Sequence, residues 1–257
     1  RVTGTAYQYV IPLSHFAGIF TSKQLMPSQL SSGMRLDCQL ESALTAITTA
    51  DTEVKYSITN PKLVLDVSIL SDGALAQLTQ QAGKNGLEYS FSTYANESST
   101  TTTTSVNVQF SRSVARALRC YVVPRPTANV GAQAADSFAT GVVPYSRVQF
   151  QIGSTYFPNR EIQNNAQVYA NLLQTLGQYS GHAFGDLNKE DFDAKGFAVA
   201  SSSFETSALI RASGTSVNNS RSLLINLTAD DVARDIQSYL EYQVILRANL
   251  ANVNVTS

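Results

Sequence analysis

Val106-Asn107-Val108-Gln109-Phe110 alternates apolar and amide side chains without interruption, and Leu223-Leu224-Ile225-Asn226-Leu227 nearly does the same. Successive side chains of an extended strand point to opposite faces. Each stretch therefore reads as a strand with one buried face and one face turned to water or a neighbour. The period of two returns at 7–13, at 35–40 with the apolar residues on even positions, and at Leu63, Leu65, Val67 and Ile69. It returns again at 87–94, 118–123, 148–152 and 197–204, and at Leu240, Tyr242, Val244 and Leu246. About ten strands follow, the pattern of an all-β antiparallel sandwich.

Short helices connect these strands. Asn164 or Asn165 can cap a segment with Val168, Tyr169, Leu172, Leu173 and Leu176 on one stripe and Gly177 at its end. Ser71 or Asp72 can cap a shorter one running through Leu75 and Leu78 to Ala82, before Gly83, and a turn of helix is expected within 229–236. No βαβ alternation is present, so a parallel doubly wound sheet is not expected. Polar or turn-rich stretches at 96–105, 124–141 and 180–196 read as loops, the first holding the run Thr100 to Thr104.

Composition narrows the function. Hydrophobic residues make up 43% of the 257, enough for a packed core, while charged residues are only 14%, against about 25% in ordinary soluble domains. Hydroxyls and amides fill the gap, and such a surface carries little self-repulsion when subunits pack side by side. Net charge is −1, which gives no basic stripe and no strong nucleic-acid signal. With Arg1 in place of Met, an N-terminal part is expected to be missing, where a genome-binding arm would have to lie. No apolar run approaches the ~20 residues of a membrane span, and no signal peptide is visible.

Candidate chemistry is sparse. His15 and His182 have no Cys, His or Asp at triad or metal-ligand spacing. Asp186-Leu187-Asn188-Lys189-Glu190-Asp191-Phe192-Asp193 has oxygen ligands at alternate positions, but Asp191 stands where a calcium loop needs its sharp-turn glycine, so a solvated acidic loop is the expectation. Arg112, Arg116 and Arg119 could meet a phosphate or an acidic neighbour, and more often such residues form a solvated face or a salt-bridge row. Cys38 and Cys120 both fall on inward-looking positions and read as small buried hydrophobes, with a disulfide not deducible from one pair. Elbow, phosphate-loop and zinc-helix motifs do not occur. The expectation is no enzyme, no catalytic residue, no metal and no cofactor.

Several segments resemble the major capsid proteins of polinton-like viruses, adintoviruses and virophages, which have the double jelly-roll fold. They are Ile11-Pro12-Leu13-Ser14 with Gly18-Ile19-Phe20, Lys23-Gln24-Leu25-Met26-Pro27 and Met34-Arg35-Leu36-Asp37-Cys38-Gln39-Leu40; then Tyr56-Ser57-Ile58-Thr59-Asn60-Pro61-Lys62-Leu63-Val64-Leu65-Asp66; then Val108-Gln109-Phe110-Ser111-Arg112-Ser113-Val114-Ala115-Arg116; and finally 213–220 with the strand at 222–227 and the closing 239–247. Their value is collinearity. The resemblance implies an antiparallel jelly-roll β-sandwich in which residues 1–85 are the C-terminal part of a first roll, incomplete in this chain, and 86–257 are the second. Two rolls need about sixteen strands against about ten counted, and a single elaborated roll also accounts for the count.

The function so implied is assembly. Three chains would make a pseudo-hexagonal capsomer that tiles an icosahedral shell in the virion, beside neighbouring capsomers, pentons and minor capsid proteins. Loops 94–106, 124–145 and 180–196 are the expected contact or tower loops. The alternative is a penton- or spike-type β-sandwich that binds a receptor or glycan; a cupin-like hydrolase would need clustered His and carboxylate ligands.

Overall fold

The structure, a computed structural model, describes residues 8–15, 17–22, 25–26, 35–47, 55–84, 86–132, 134–137, 139–177, 189–194, 198–205, 214–230, 232–248 and 253–256. The described strands are β1 (Leu87–Thr101), β2 (Ser105–Gln109), β3 (Val114–Pro126), β4 (Arg147–Ile152), β5 (Thr155–Ile162), β6 (Ala200–Ser203), β7 (Thr215–Val217), β8 (Leu223–Thr228), β9 (Arg234–Ala248) and β10 (Val253–Thr256). One sheet runs β1-β9-β3-β6, with β7 on β3 and β10 on β9, and the other runs β2-β8-β4-β5.

Setting aside the short β7 and β10, eight strands remain. The first neighbours the last, the second the seventh, the third the sixth and the fourth the fifth. That is one long hairpin folded over itself, the connectivity of a jelly roll. The β2–β8, β3–β6, β3–β9, β4–β5 and β4–β8 pairings are antiparallel.

By compactness the chain divides into one unit of Arg1–Arg35, Ile69–Thr93 and Gln243–Ser257 and another of Leu36–Ser68 and Tyr94–Tyr242. In the larger unit, alternation places Val106 and Val108 of β2, Val148, Phe150 and Ile152 of β4, and Leu223, Ile225 and Leu227 of β8 on the inner face of one sheet. Cys120, Val122, Ile236 and Leu240 do the same for the other. Phe204, just past β6, meets Phe150 edge-on with ring centroids 6.3 Å apart and Phe157 at 5.1 Å. Each fully buried Phe, Ile or Leu contributes about 1.5–3 kcal/mol.

Helix α2 (Asn165–Thr175) lies against β6 in this unit. Its cap is reciprocal. Asn164 Oδ1 accepts from Gln167 N at 3.0 Å, and Gln167 Oε1 accepts from Gln163 N at 2.7 Å, while Gly177 takes the left-handed conformation just beyond the C-terminus.

The smaller unit packs Leu87 and Tyr89 of β1 and Ala248 of β9 against Ala82 of helix α1 (Asp72–Lys84), with Met26, Leu78, Phe91 and Leu246 around them. Tyr89 donates its hydroxyl to Leu25 O at 3.1 Å. Gly18 lies so close to β1 that a Cβ there would sit 1.7 Å from Ser92 O, so the turn at Gly18–Thr21 admits no side chain at that position.

Several expectations need correction. The described residues of 7–13, 35–40 and 63–69 form no strand, and their apolar side chains lie exposed apart from the half-buried Leu13, because no described strand runs beside them to complete a ladder. A period of two specifies which face would be buried, not that a partner is present. Cys38 is accordingly exposed, Cys120 is buried, and both are free thiols. Residues 96–101 belong to β1, where β-branched threonines suit a strand and Asn96 Nδ2 donates to Gln237 Oε1 at 3.2 Å; only the turn at 102–104 remains loop. The helical turn expected within 229–236 is absent from its described residues, since Arg234 and Asp235 open β9 and pair with β3. β5 escaped the alternation because Pro158 interrupts it, which an edge strand tolerates.

Burial pushes the Cys120 thiol well above its usual pKa, and Cys38 is open to solvent. A thiol-reactive chromogenic reagent at neutral pH will titrate one equivalent on the native chain. It will titrate a second only after denaturant unfolds it.

Candidate functional site

The three arginines around β3 do not converge on one ligand. Arg119 lies opposite Glu241 of β9 and Ser203 of β6 in the ladder, on the outer face of the sheet. Its Nη2 donates to Glu205 Oε2 at 3.1 Å, and its Nη1 stands 3.6 Å from Glu241 Oε2. Arg112 instead lies over the Tyr242 ring, 5.3 Å from the centroid, and Arg116 is half-buried along the strand. One guanidinium between two carboxylates leaves the Arg119 cluster net negative, so it is a salt-bridge row and not a phosphate cradle.

Two tyrosines share that face. Burial, and then the Glu241 carboxylate, push the Tyr121 hydroxyl up to about 12, and the same two causes raise Tyr94.

A second polar assembly anchors the loop after β3. Arg234 is only 3% exposed yet fully engaged: Nε and Nη2 reach Asp230 Oδ1 and Oδ2 at 3.0 and 2.7 Å, Nη1 donates to Thr140 O at 3.1 Å, and Nη2 to Val142 O at 3.1 Å. Arg125 pairs with Asp235 and donates to Ser137 O at 3.2 Å, while Ser137 Oγ donates to Asn129 O at 3.0 Å. Downstream, Asn165 Nδ2 donates to Val143 O and Asn165 Oδ1 accepts from Tyr145 N, both at 2.9 Å, and the Tyr145 hydroxyl donates to Ala198 O. Of the loop expected at 124–145, residues 124–126 instead close β3, and the described residues beyond are tied back by the buried Arg234 and the half-buried Arg125, while Val142 stays exposed. The sequence carried one clue, Asp230 four residues before Arg234, but that spacing reads first as a helical pair.

The acidic stretch does not make a described cation site. Asp186-Leu187-Asn188 and His182 lie outside the described residues, and from Lys189 the chain is a short helix, α3 (Lys189–Ala194). Lys189 pairs with Asp193, and Phe192 is buried edge-on to Tyr169 with centroids 5.4 Å apart. His15 ends the turn Leu13–His15. Among the described residues no three His, Cys, Asp or Glu gather to hold a metal, and no helix is long and apolar enough to cross a membrane. What these residues build is surface: a tyrosine- and arginine-bearing sheet face and a stiffened loop.

No protein-family model matches the sequence, and no curated protein matches it. Solved structures are similar in fold. The Faustovirus major capsid protein superposes with a TM-score of 0.50 at 11% identity over 70% of this chain and 36% of its own. VP54 of PBCV-1, fitted into a reconstruction of the virophage Sputnik, gives 0.48 at 14% identity over 73% and 55%, and the major capsid protein P2 of bacteriophage PM2 gives 0.37 at 12% over 60% and 44%. The chain thus has the fold of the Faustovirus protein, a jelly-roll sandwich, and spans 36% of that protein's length and 55% of that of VP54.

Replacing Arg234 with Met strands the Asp230 carboxylate and two backbone carbonyls. We expect a loss of about 3 kcal/mol in urea unfolding, the low end for a broken buried pair because Asp230 keeps some solvent contact.

The raised Tyr121 hydroxyl binds its proton more tightly in the folded chain than in the unfolded one. Stability is therefore undiminished below about pH 10 and falls as pH rises towards 12. Tyr121→Phe should flatten that fall relative to wild type in denaturation midpoints measured from pH 9 to 12; parallel curves would refute the assignment.

Proposed function

We propose that this chain is a major capsid protein subunit whose work is assembly and not catalysis. The observation that carries the reading is the eight-strand hairpin wrap, first strand beside last, in a fold like that of the Faustovirus major capsid protein. Fold alone leaves function open, so the surface must supply the rest. Low overall charge, a face where Tyr94 and Tyr121 flank the Arg119–carboxylate row, and an exposed valine on a tied-down loop suit protein contacts, where aromatics and Arg are favoured.

In this reading residues 86–257 form one complete jelly roll, which the location of all eight wrapped strands within 87–248 supports. Residues 1–85 supply the closing strands of another. The support is the unpaired alternation at Leu63, Leu65, Val67 and Ile69, where Val67 is 83% and Ile69 97% exposed, and at Leu36 and Leu40. Contiguous apolar side chains left so bare are what a surface awaiting a partner presents. Three chains then form a pseudo-hexagonal capsomer, and capsomers tile an icosahedral shell in the virion, with pentons and minor capsid proteins as further neighbours.

Sedimentation equilibrium of the purified chain at micromolar concentration tests this. We expect a species of three times 27.7 kDa, seen as three-fold blocks by electron microscopy. A stable monomer would overturn the assembly reading.

A further inference from the structure

The outer face of the β1-β9-β3-β6 sheet gathers polar groups whose bonding is incomplete. Register sets Arg119 of β3 between Glu241 of β9 and Ser203 of β6, and in the next row sets Tyr121 between Tyr239 and Ser201. Residues directly opposite one another share a face, so these six stand together. Tyr94 of β1 joins them, close enough that both Glu241 and Arg119 act on its hydroxyl.

Arg119 Nε and Glu241 Oε2 are shielded from solvent and have no hydrogen-bond partner among the described residues, and the same holds for Ser201 Oγ one row away. Glu241 is only 6% exposed, whereas Tyr94 is 57% exposed and opens the patch to solvent. Buried polar atoms are nearly always bonded, so a cluster of them with open bonds points to a group from outside that completes it.

We propose that this patch binds a neutral saccharide: Glu241 Oε2 accepts from one hydroxyl, Arg119 Nε donates to the adjacent one, and Tyr94 stacks on the C–H face of the ring. Charge and bonding select that chemistry. Glu205 and Glu241 stand against the single Arg119 guanidinium, so an anionic ligand would meet net repulsion. A cation would answer Glu241 but lie beside the like charge of Arg119 and leave its Nε without an acceptor. What fits is an uncharged group that donates and accepts at neighbouring atoms, and a hydroxyl does both. A ring with two such hydroxyls and an apolar face also uses the exposed tyrosine, as ligand sites that join aromatic walls to a few placed polar groups do.

Aromatics and arginine suit a protein partner too, and peptide amides also donate and accept, so size has to separate the two. Four strands about 4.8 Å apart span roughly 14 Å from β1 to β6, and the two rows lie about 7 Å apart. That patch of roughly 100 Å² is the footprint of a mono- or disaccharide. It falls far below the ~800 Å² per partner of a stable protein contact. The inference goes beyond the assembly reading and does not rest on it.

The test is saturation-transfer NMR on the full chain. The probes are the methyl glycosides of glucose, galactose, mannose, fucose and N-acetylglucosamine at millimolar concentration, with glucose 6-phosphate as the anionic control and a short Gly-Arg peptide as the basic one. At least one neutral glycoside should receive saturation on its ring C–H protons, and neither control should. Tyr94→Ala, at an exposed position, and Glu241→Gln should each weaken the titrated affinity about tenfold. Circular dichroism checks folding, and Tyr94→Ala decides alone should Glu241→Gln fail to fold. Three outcomes would overturn the inference: no neutral glycoside binds, a control binds in its place, or binding is unmoved in folded Tyr94→Ala. The open bonds then serve water only. Sedimentation is read separately: a monomeric chain that binds the glycoside keeps this site and loses the assembly reading, and an assembling chain that binds none does the reverse.

Discussion

The structure depends on pairing strands that are remote in the chain. Asn96 of β1 hydrogen-bonds Gln237 and Ser238 of β9, more than 140 residues away, at 3.2 and 3.4 Å. The remaining pairs nest inside this one, down to β4 and β5, which adjoin. Closing the outermost loop costs more entropy than closing the inner ones, though the cost grows only slowly with length. Inner pairs can therefore form first and shorten the effective loop for the outer ones. A chain dominated by such contacts folds slowly, and strand edges exposed on the way are at risk of wrong pairing. Hydroxyl- and amide-rich outer faces, with few long apolar runs between 94 and 242, are what such a pathway tolerates.

Much of this was legible before any coordinates. Alternation located β2, β4, β8 and the body of β1, β3 and β9, and side-chain capping logic placed α2 between Asn164 and Gly177. The inward phase of Val106, Cys120, Val148 and Ile225 followed from parity alone. The failures share one cause. Periodicity is local, while a strand is a relation between two segments, so 35–40 and 63–69 carry the pattern without the partner. Cys38 was misplaced for the same reason. In the opposite direction, Thr100 and Thr101 looked too polar for a strand, yet an outer-edge strand has a wet face where threonine is at home.

The surface arrangements were less legible because they are made across strands. Nothing along the sequence joins Asn107, Gln149 and Asn226; register does, by laying β8 between β2 and β4. Arg234 likewise gains its meaning from Thr140 and Val142 carbonyls some ninety residues away. A buried arginine with every nitrogen bonded is a weak source of net stability but a strong source of shape, since few other arrangements would leave its donors paired. It ties the loop backbone at Thr140 and Val142 to the start of β9.

That division of labour bears on where function resides. The interior of the larger unit holds Phe150, Phe204, Ile152, Ile225 and Leu240, and the Cys120 thiol among them is sealed by burial. The outside is polar in two different ways: one sheet face carries tyrosines around an arginine–carboxylate row, and the other carries the amides of Asn107, Asn226 and Gln149 beside Gln151, which donates to Gly153 O at 2.8 Å. Chemically distinct faces on one sandwich let a single chain discriminate between partners, since a group that pairs on one face is left unpaired on the other.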